Sequence, residues 1–186
     1  MNRNTCARLL ALGCAAAATL AIVPPVASAD LLAPRSQCPG QQNIHAAERL
    51  QEDSLRCLID HARERAGVQK LGSNSSLEPS AGRKAGDVMR CGFAHTACGN
   101  SADKWAHEYG YSSGTSSWRF GENLAWGKGK RSTARRVLKA WFRSPGHRAT
   151  LFTGSFEHLG IGLRRGSFAG HRNAGVWVLQ VGCRGC

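Results

Sequence analysis

Three ionisable side chains, each set in a turn-forming context, are the residues of this chain best suited to chemistry. His95 ends a Phe-x-His motif, Glu122 lies within Gly-Glu-Asn, and His147 lies within Ser-Pro-Gly-His-Arg. Two imidazoles and a carboxylate can hold a divalent metal, or move protons to and from a water or a substrate oxygen. Because the three lie far apart along the chain, the fold must bring them together.

The order of these motifs carries a family resemblance. The chain reads F-x-H, then G-E-N, then W-x-x-S-P-G-H-R and finally L-G-I-G ending at Gly162. This series resembles the secreted bacterial branch of the CAP superfamily (cysteine-rich secretory proteins, antigen five and pathogenesis-related proteins). The resemblance runs from about Cys57 to Gly182. It implies a CAP domain over residues 44–186 with an α+β fold, a three-layer α-β-α sandwich around a mainly antiparallel sheet.

The resemblance also implies a cleft lined by His95, Glu122 and His147, with Asn123 beside them. Animal and plant relatives add a second acid in a W-x-x-E motif, where this chain has Ser144. Three ligands with an open water position still suit zinc, so the two histidines and Glu122 are the expected ligands of a divalent metal. The alternative is a hydrogen-bonded polar cluster that fixes the surrounding loops. Asn123 is expected to pin a loop, because asparagine commonly bonds nearby backbone.

Two functions follow from such a cleft. The first is a non-enzymatic binding module for a lipid-like or cell-envelope ligand. The alternative is a metal-assisted hydrolase or peptidase, with a zinc-bound water as nucleophile and Glu122 as the candidate catalytic base. Glu122 cannot easily serve as both ligand and free base, which favours the binding module. A serine nucleophile at Ser144 is disfavoured because its Ser-Pro-Gly context resembles a helix stop and Ser144 does not lie in a G-x-S-x-G motif.

The first 29 residues are typical of a signal peptide, which predicts a secreted protein. Arg3 and Arg8 form a basic start, an apolar stretch spans residues 9–23, and small residues precede a cleavage site after Ala29. The apolar stretch is short for a membrane span, so a retained anchor is the lesser alternative. Beyond it we expect no transmembrane segment. Residues 30–43 then form an extended N-terminal arm.

Six cysteines remain after the signal peptide, which predicts three disulfides in an oxidising compartment. Six cysteines allow fifteen connectivities, and short sequence separation favours three pairs. These are Cys38–Cys57, Cys91–Cys98 and Cys183–Cys186. Zinc is an alternative for the C-x-x-C that ends the chain, although no second C-x-x-C accompanies it.

The formal net charge is +13, and removal of Arg3 and Arg8 leaves +11. The densest basic stretch runs from Lys128 to Arg148. Such a surface suits a nucleic acid, but an exported protein meets anionic lipids and wall polymers first. The expected partner is therefore a small apolar or amphiphilic ligand or an anionic cell-envelope component, with no specific nucleic acid. A solvated cationic face on a monomer is the simpler alternative.

Hydrophobic spacing and punctuating residues give the expected elements. A loop over residues 91–100 should hold His95, and Pro145 with Gly146 should stop a helix and leave His147 just past its end. The expected helices cover about residues 44–66, 77–90, 103–109 and 132–142, the last capped by Ser132. The expected strands cover about residues 119–126, 157–163 and 175–181.

Overall fold

The protein, seen in a computed structural model, is described over residues 30–186. The expected signal peptide at residues 1–29 lies outside this range. The helices are α1 (Glu48–Arg65), α2 (Leu77–Cys91), α3 (Lys104–Glu108), α4 (Ala134–Arg143) and α5 (Pro145–Phe152). The strands are β1 (Gly72–Ser73), β2 (Trp118–Lys128), β3 (His158–Phe168) and β4 (His171–Arg184). None of these helices is long and apolar enough to cross a bilayer.

One mixed sheet forms the middle of the molecule, with the strand order β1-β3-β4-β2. β4 is central and pairs antiparallel with both β3 and β2. The two-residue β1 adds the single parallel pair, against the start of β3. The sheet is thus mainly antiparallel, as the sequence predicts.

The period-two alternation of β4 separates two apolar cores. Trp177 and Leu179 pack in the core that also holds the buried faces of α1 and α4. Val176 and Val178 belong to the opposite core, which they share with α2. Helices therefore cover both faces of the sheet, and the predicted three-layer α+β architecture is confirmed.

Beyond the short pairing with β1, the outer edge of β3 is capped by carboxylates of α1. Glu52 Oε1 accepts from the backbone N–H of Leu163 at 2.8 Å, and Glu48 Oε1 accepts from that of Arg165 at 2.8 Å. Unpaired strand edges are templates for aggregation. These two glutamates satisfy the edge donors and place charge along the edge.

The segment before α1 differs from the extended arm expected from the sequence, since it is a run of turns. Leu31 and Ala33 are fully buried in the core beside α1 and α4. A disulfide between Cys38 and Cys57 joins the segment to α1. The other disulfides are Cys91–Cys98 and Cys183–Cys186, so the three pairs favoured by sequence separation are confirmed.

His147 lies past the end of α4, as expected, but a further helix that the sequence does not predict contains it. α4 ends at Arg143 as the proline predicts, but Pro145 then opens α5. Proline suits the first turn of a helix, where its missing N–H would have no partner. Ser144 forms the junction between the two helices. The expected cap at Ser132 is also displaced, since its hydroxyl bonds the Gly129 carbonyl and α4 starts two residues later.

Candidate functional site

The loop that carries His95 is held from beneath by a buried lysine of α2. Lys84 is fully buried, and its ammonium group donates to the carbonyls of His95, Asn100 and Ser101, the latter two at 3.1 and 3.2 Å. Three carbonyl acceptors match the three donors of an ammonium group. The Cys91–Cys98 disulfide closes the same loop covalently. The backbone at His95 is therefore fixed from two directions.

A second α2 residue, Asp87, ties this loop to α3. Its buried carboxylate accepts from the Trp105 indole at 2.7 Å, from Asn100 at 2.8 Å and from Arg90 at 2.7 Å. Burial alone would raise the pKa of Asp87, but the hydrogen bonds from these groups outweigh it and lower the pKa. Asp87 is thus a charged anchor for the loop.

Glu122 lies on β2 and faces the same side of the sheet as α2. Its Oε1 is 2.8 Å from Nδ1 of His95, and its Oε2 accepts from the amide of Gln180 at 3.1 Å. Gln180 lies directly opposite Glu122 in the β2–β4 register and in turn accepts from the Ser80 hydroxyl at 2.6 Å. Both carboxylate oxygens of Glu122 are therefore engaged, and Ser80, Gln180, Glu122 and His95 form one continuous chain of hydrogen bonds.

Exposure changes sharply along this chain. The Glu122 side chain is 2% exposed, whereas that of His95 is 55% exposed. The hydrogen bond to Glu122 raises the pKa of His95 above its usual value, although partial burial opposes it. The pairing therefore favours the protonated form of an imidazole that lies at the surface over the buried Glu122 side chain.

His147 reaches the same region from the first turn of α5. Burial lowers the pKa of His147, and the charge of nearby His95 lowers it further. Its ring centroid lies 6.5 Å from that of Trp141. The effect of His95 on His147 places the two imidazoles in one neighbourhood, with their pKa values moved in opposite directions.

Asn123 connects β2 to α5. Its amide donates to the His147 carbonyl at 3.0 Å, while its side-chain oxygen is buried and has no partner in the described residues. The neighbouring carbonyl of Leu124 accepts from the Trp141 indole at 3.0 Å. These bonds fix the start of α5 against the outer strand, and with it the position of His147.

The side chains as they stand suit a smaller metal-ligand set than the sequence predicts. Within residues 30–186, no group of three His, Cys, Asp or Glu side chains is placed to hold a metal ion. Glu122 faces His95 and Gln180, so a metal would find the remaining ring nitrogen of His95 and the His147 ring. A carboxylate behind a ligating imidazole is a common outer partner in metal sites. The three-ligand site stays a prediction.

Two residues that shape the site escape the sequence patterns used above. Gln180 is the one polar residue in an otherwise apolar run from Val176 to Val181. Lys84 falls on the apolar face of α2, where its neighbours in the helical period are Ala81, Ala85 and Val88. Gln180 and Lys84 are each a lone polar residue at a position that the hydrophobic periodicity assigns to the core. This signal could have identified both.

Known proteins resemble this chain in sequence or in fold. The model of the cysteine-rich secretory protein (CAP) family matches residues 57–181. An outer surface protein from Borrelia burgdorferi is 24% identical with a TM-score of 0.59, over 75% of this chain and 96% of its own. No curated protein matches the sequence significantly.

Two further solved structures share the fold over part of their length. An extracellular protein containing an SCP domain from Bacillus anthracis is 19% identical with a TM-score of 0.57, over 72% of this chain and 40% of its own. A cysteine-rich secretory protein from Staphylococcus aureus is 14% identical with a TM-score of 0.52, over 73% and 40% respectively. At these identities the likeness concerns the fold.

Proposed function

The chain belongs to the cysteine-rich secretory protein (CAP) family, and on this premise we propose that it is an extracellular binding module without catalytic activity. Its ligand is a small amphiphile whose anionic headgroup binds at His95 and His147. Three disulfides among the described residues support an oxidising, extracellular setting. The signal peptide expected from the first 29 residues supports the same location.

One observation carries the proposal: both oxygens of Glu122 are committed to hydrogen bonds. A general base must come within hydrogen-bond distance of the proton that it removes, which a buried side chain facing protein donors does not do. Glu122 instead accepts from His95 and Gln180 while its side chain is buried. Its effect is to hold His95 protonated, and a protonated, half-exposed imidazole is a donor for an anionic headgroup.

An apolar contact for the rest of the ligand lies beside His95. Phe93, two residues earlier on the same loop, is 49% exposed. An exposed aromatic ring on the loop that carries His95 offers apolar contact area next to a charged headgroup site. An alkyl chain that leaves the headgroup at His95 can pack on this ring, and the net charge of +11 on residues 30–186 favours the approach of an anion.

Myristate is the probe that tests this function. At pH 6.5 we expect His95→Gln to weaken myristate binding at least about tenfold, because a charge-assisted hydrogen bond is lost. His61→Gln, which changes a half-buried histidine of α1, should leave the affinity unchanged. Phe93→Ala should weaken myristate binding more than octanoate binding, since the longer chain makes more apolar contact. Isothermal titration calorimetry measures each of these affinities.

The neutral analogue myristyl alcohol provides the matching ligand control. Myristyl alcohol should bind the unchanged protein more weakly than myristate does. The two ligands should bind the His95→Gln variant with equal affinity. Myristate binding that survives His95→Gln, or that equals the binding of the alcohol, would contradict a headgroup site at His95.

A metal-assisted hydrolase is the second candidate, because the His95–Glu122 pair resembles the way proteins orient a metal-ligating histidine. Zinc at His95 and His147 would supply Lewis acidity. Glu122 would then set the tautomer and direction of the His95 ring. The chain would still have to supply a base other than Glu122, whose oxygens are engaged, and this ranks the binding module first.

A further inference from the structure

A groove at the opposite end of the sheet from β1 is a second candidate binding site. It is made of three adjoining cavities of about 410, 490 and 330 Å³. The first two share Gly129 and Arg172, and the last two share Lys128 and His171. The groove therefore runs continuously along the β3–β4 turn and the end of β2. His95, Glu122 and His147 line none of the three cavities.

Every charged side chain that lines the groove is basic. They are Lys128, Arg131, Arg165 and Arg172, and no aspartate or glutamate among the described residues lines any of the three cavities. Within residues 30–186, none of Lys128, Arg131 and Arg172 forms an ion pair. A separate cavity of about 550 Å³ between α1 and α2 is lined by both signs of charge. The groove is thus a local concentration of uncompensated positive charge.

One aromatic platform stands beside these cations. Trp126 is 38% exposed, and its ring stacks on His171 with centroids 6.0 Å apart and planes 24° from parallel. Phe168 packs edge-on against the same indole at 5.4 Å. The two neighbours hold the indole in a fixed plane at the groove wall.

Close backbone packing forms the floor of the groove. A Cβ on Gly127 would lie 2.7 Å from the Arg131 carbonyl oxygen, and a Cβ on Gly175 would lie 3.0 Å from the Ser132 Cβ. Glycine at both positions lets the turn over residues 129–132 lie directly on β2 and β4. That contact places Arg131 beside Lys128 and Trp126 in one cavity.

We propose that this groove binds an acidic polysaccharide. A flat indole offers a stacking surface for the C–H face of a sugar ring, while the lysine and arginines pair with the acidic groups of neighbouring sugars. Single-stranded nucleic acid sites use several aromatic platforms in series, whereas the groove offers one. The three disulfides also place the protein in an oxidising compartment, where acidic polysaccharides are available. The site is independent of the function proposed for His95.

Polygalacturonate, whose sugars each carry a carboxylate, is the probe, measured at ~0.15 M salt where distant charges are largely screened. We expect Lys128→Ala with Arg172→Ala to weaken binding at least about tenfold. Lys139→Ala with Arg143→Ala removes the same charge from exposed positions of α4 outside the groove, and should change the affinity less than about twofold. Equal losses in the two double variants would overturn the proposal, because binding would then follow net charge alone.

A change at Trp126 tests recognition of the sugar ring separately from recognition of the charge. Trp126→Ala should weaken polygalacturonate binding but leave the weaker binding of polyglutamate, which has carboxylates and no sugar, unchanged. His95→Gln should leave polygalacturonate binding intact, which keeps this test separate from that of the amphiphile. Polyglutamate, single-stranded DNA or phosphatidylglycerol vesicles that bind as tightly as polygalacturonate would also overturn the proposal. If Trp126→Ala fails to fold, the two double charge variants still test the proposal.

Discussion

Glu122 and His95 show how burial and pairing fix a charge at one surface position. The carboxylate is buried and accepts two hydrogen bonds, and its bond to His95 raises the pKa of that imidazole. A raised histidine pKa stabilises the folded protein fully below the unfolded value near ~6.5, and this contribution is lost as pH rises through the folded pKa. Binding of an anionic headgroup by protonated His95 should likewise weaken as pH rises through the pKa of His95.

Zinc binding tests the alternative function at His147. If the metal-assisted alternative holds, about one equivalent of zinc binds at pH 8, and binding weakens as pH falls through the raised pKa of His95, because a protonated imidazole has no free lone pair. His147→Ala should abolish this binding and leave the fold intact. Zinc titrations at pH 8 and pH 6 measure both effects. Absence of zinc uptake at pH 8, or uptake retained in His147→Ala, would exclude the metal-assisted hydrolase and leave the amphiphile proposal standing.

At the residue scale, the sequence identifies His95, Glu122 and His147. It does not predict which of them are bonded to one another. The His95–Glu122 bond depends on a cross-strand neighbour, Gln180, whose register with β2 only the assembled sheet defines. The pKa difference between His95 and His147 comes from the hydrogen bond between Glu122 and His95, from the burial of His147 and from the charge of His95 near it. Neither effect is visible in local motifs. The sequence therefore favours a set of three metal ligands, whereas in the structure His95 and Glu122 form a hydrogen-bonded pair with His147 nearby.

At the scale of elements, α2 positions the site more than any other segment. Its Lys84 bonds three carbonyls of the loop that carries His95, and its Asp87 anchors the same loop through Asn100. The apolar face of α2 packs on β4 at the same time. The core and the site therefore share one helix, and a change on its buried face should affect both.

Lys84→Met tests this coupling. The change keeps the length of the side chain but leaves three buried carbonyls without their donor, so we expect the free energy of unfolding to fall by about 1–3 kcal/mol. The loop should also loosen, and myristate binding should weaken even though Lys84 does not touch the proposed headgroup site. Urea denaturation measures the first effect, with the exposed Lys139→Met as control. Unchanged stability together with unchanged affinity would show that Lys84 does not hold the loop.

Element existence follows from the sequence better than element boundaries and junctions. Apolar periodicity predicts α1 and α4, whereas α2 is expected more from the family resemblance than from propensity. Runs of β-branched residues predict β3 and β4, although both strands extend further than expected. α5 is missed because proline ends one helix and starts the next within two residues. β1 is missed because a two-residue strand exists only through its pairing with β3.

At the scale of the whole molecule, positive charge outweighs negative charge in the described chain taken together. Residues 30–186 carry a net charge of +11, and the densest basic stretch runs from Lys128 into α5. This field attracts anionic surfaces over a distance that salt sets. Composition alone predicts the attraction, whereas the concentration of cations around Trp126 emerges only when β2, the β3–β4 turn and the turn at residues 129–132 come together.

Salt dependence separates the general attraction from the local sites. We expect association with phosphatidylglycerol vesicles at low ionic strength and sharp weakening by ~0.15 M salt, where the screening length is about 8 Å. Vesicle sedimentation over a salt series measures this, with phosphatidylcholine vesicles as the neutral control. Association that does not change with salt would indicate insertion of an apolar segment and would contradict an electrostatic origin.

The central claim is that Glu122 keeps His95 protonated so that it can hold an anionic headgroup, and NMR titration of the His95 ring tests it most directly. We predict a pKa above the ordinary value near ~6.5 in the free protein, and a further rise when myristate is bound, because an anion that binds the protonated ring stabilises it. Glu122→Gln should return the pKa toward the ordinary value. A His95 pKa at or below ~6.5 in the free protein, or one that myristate leaves unmoved, would contradict the account.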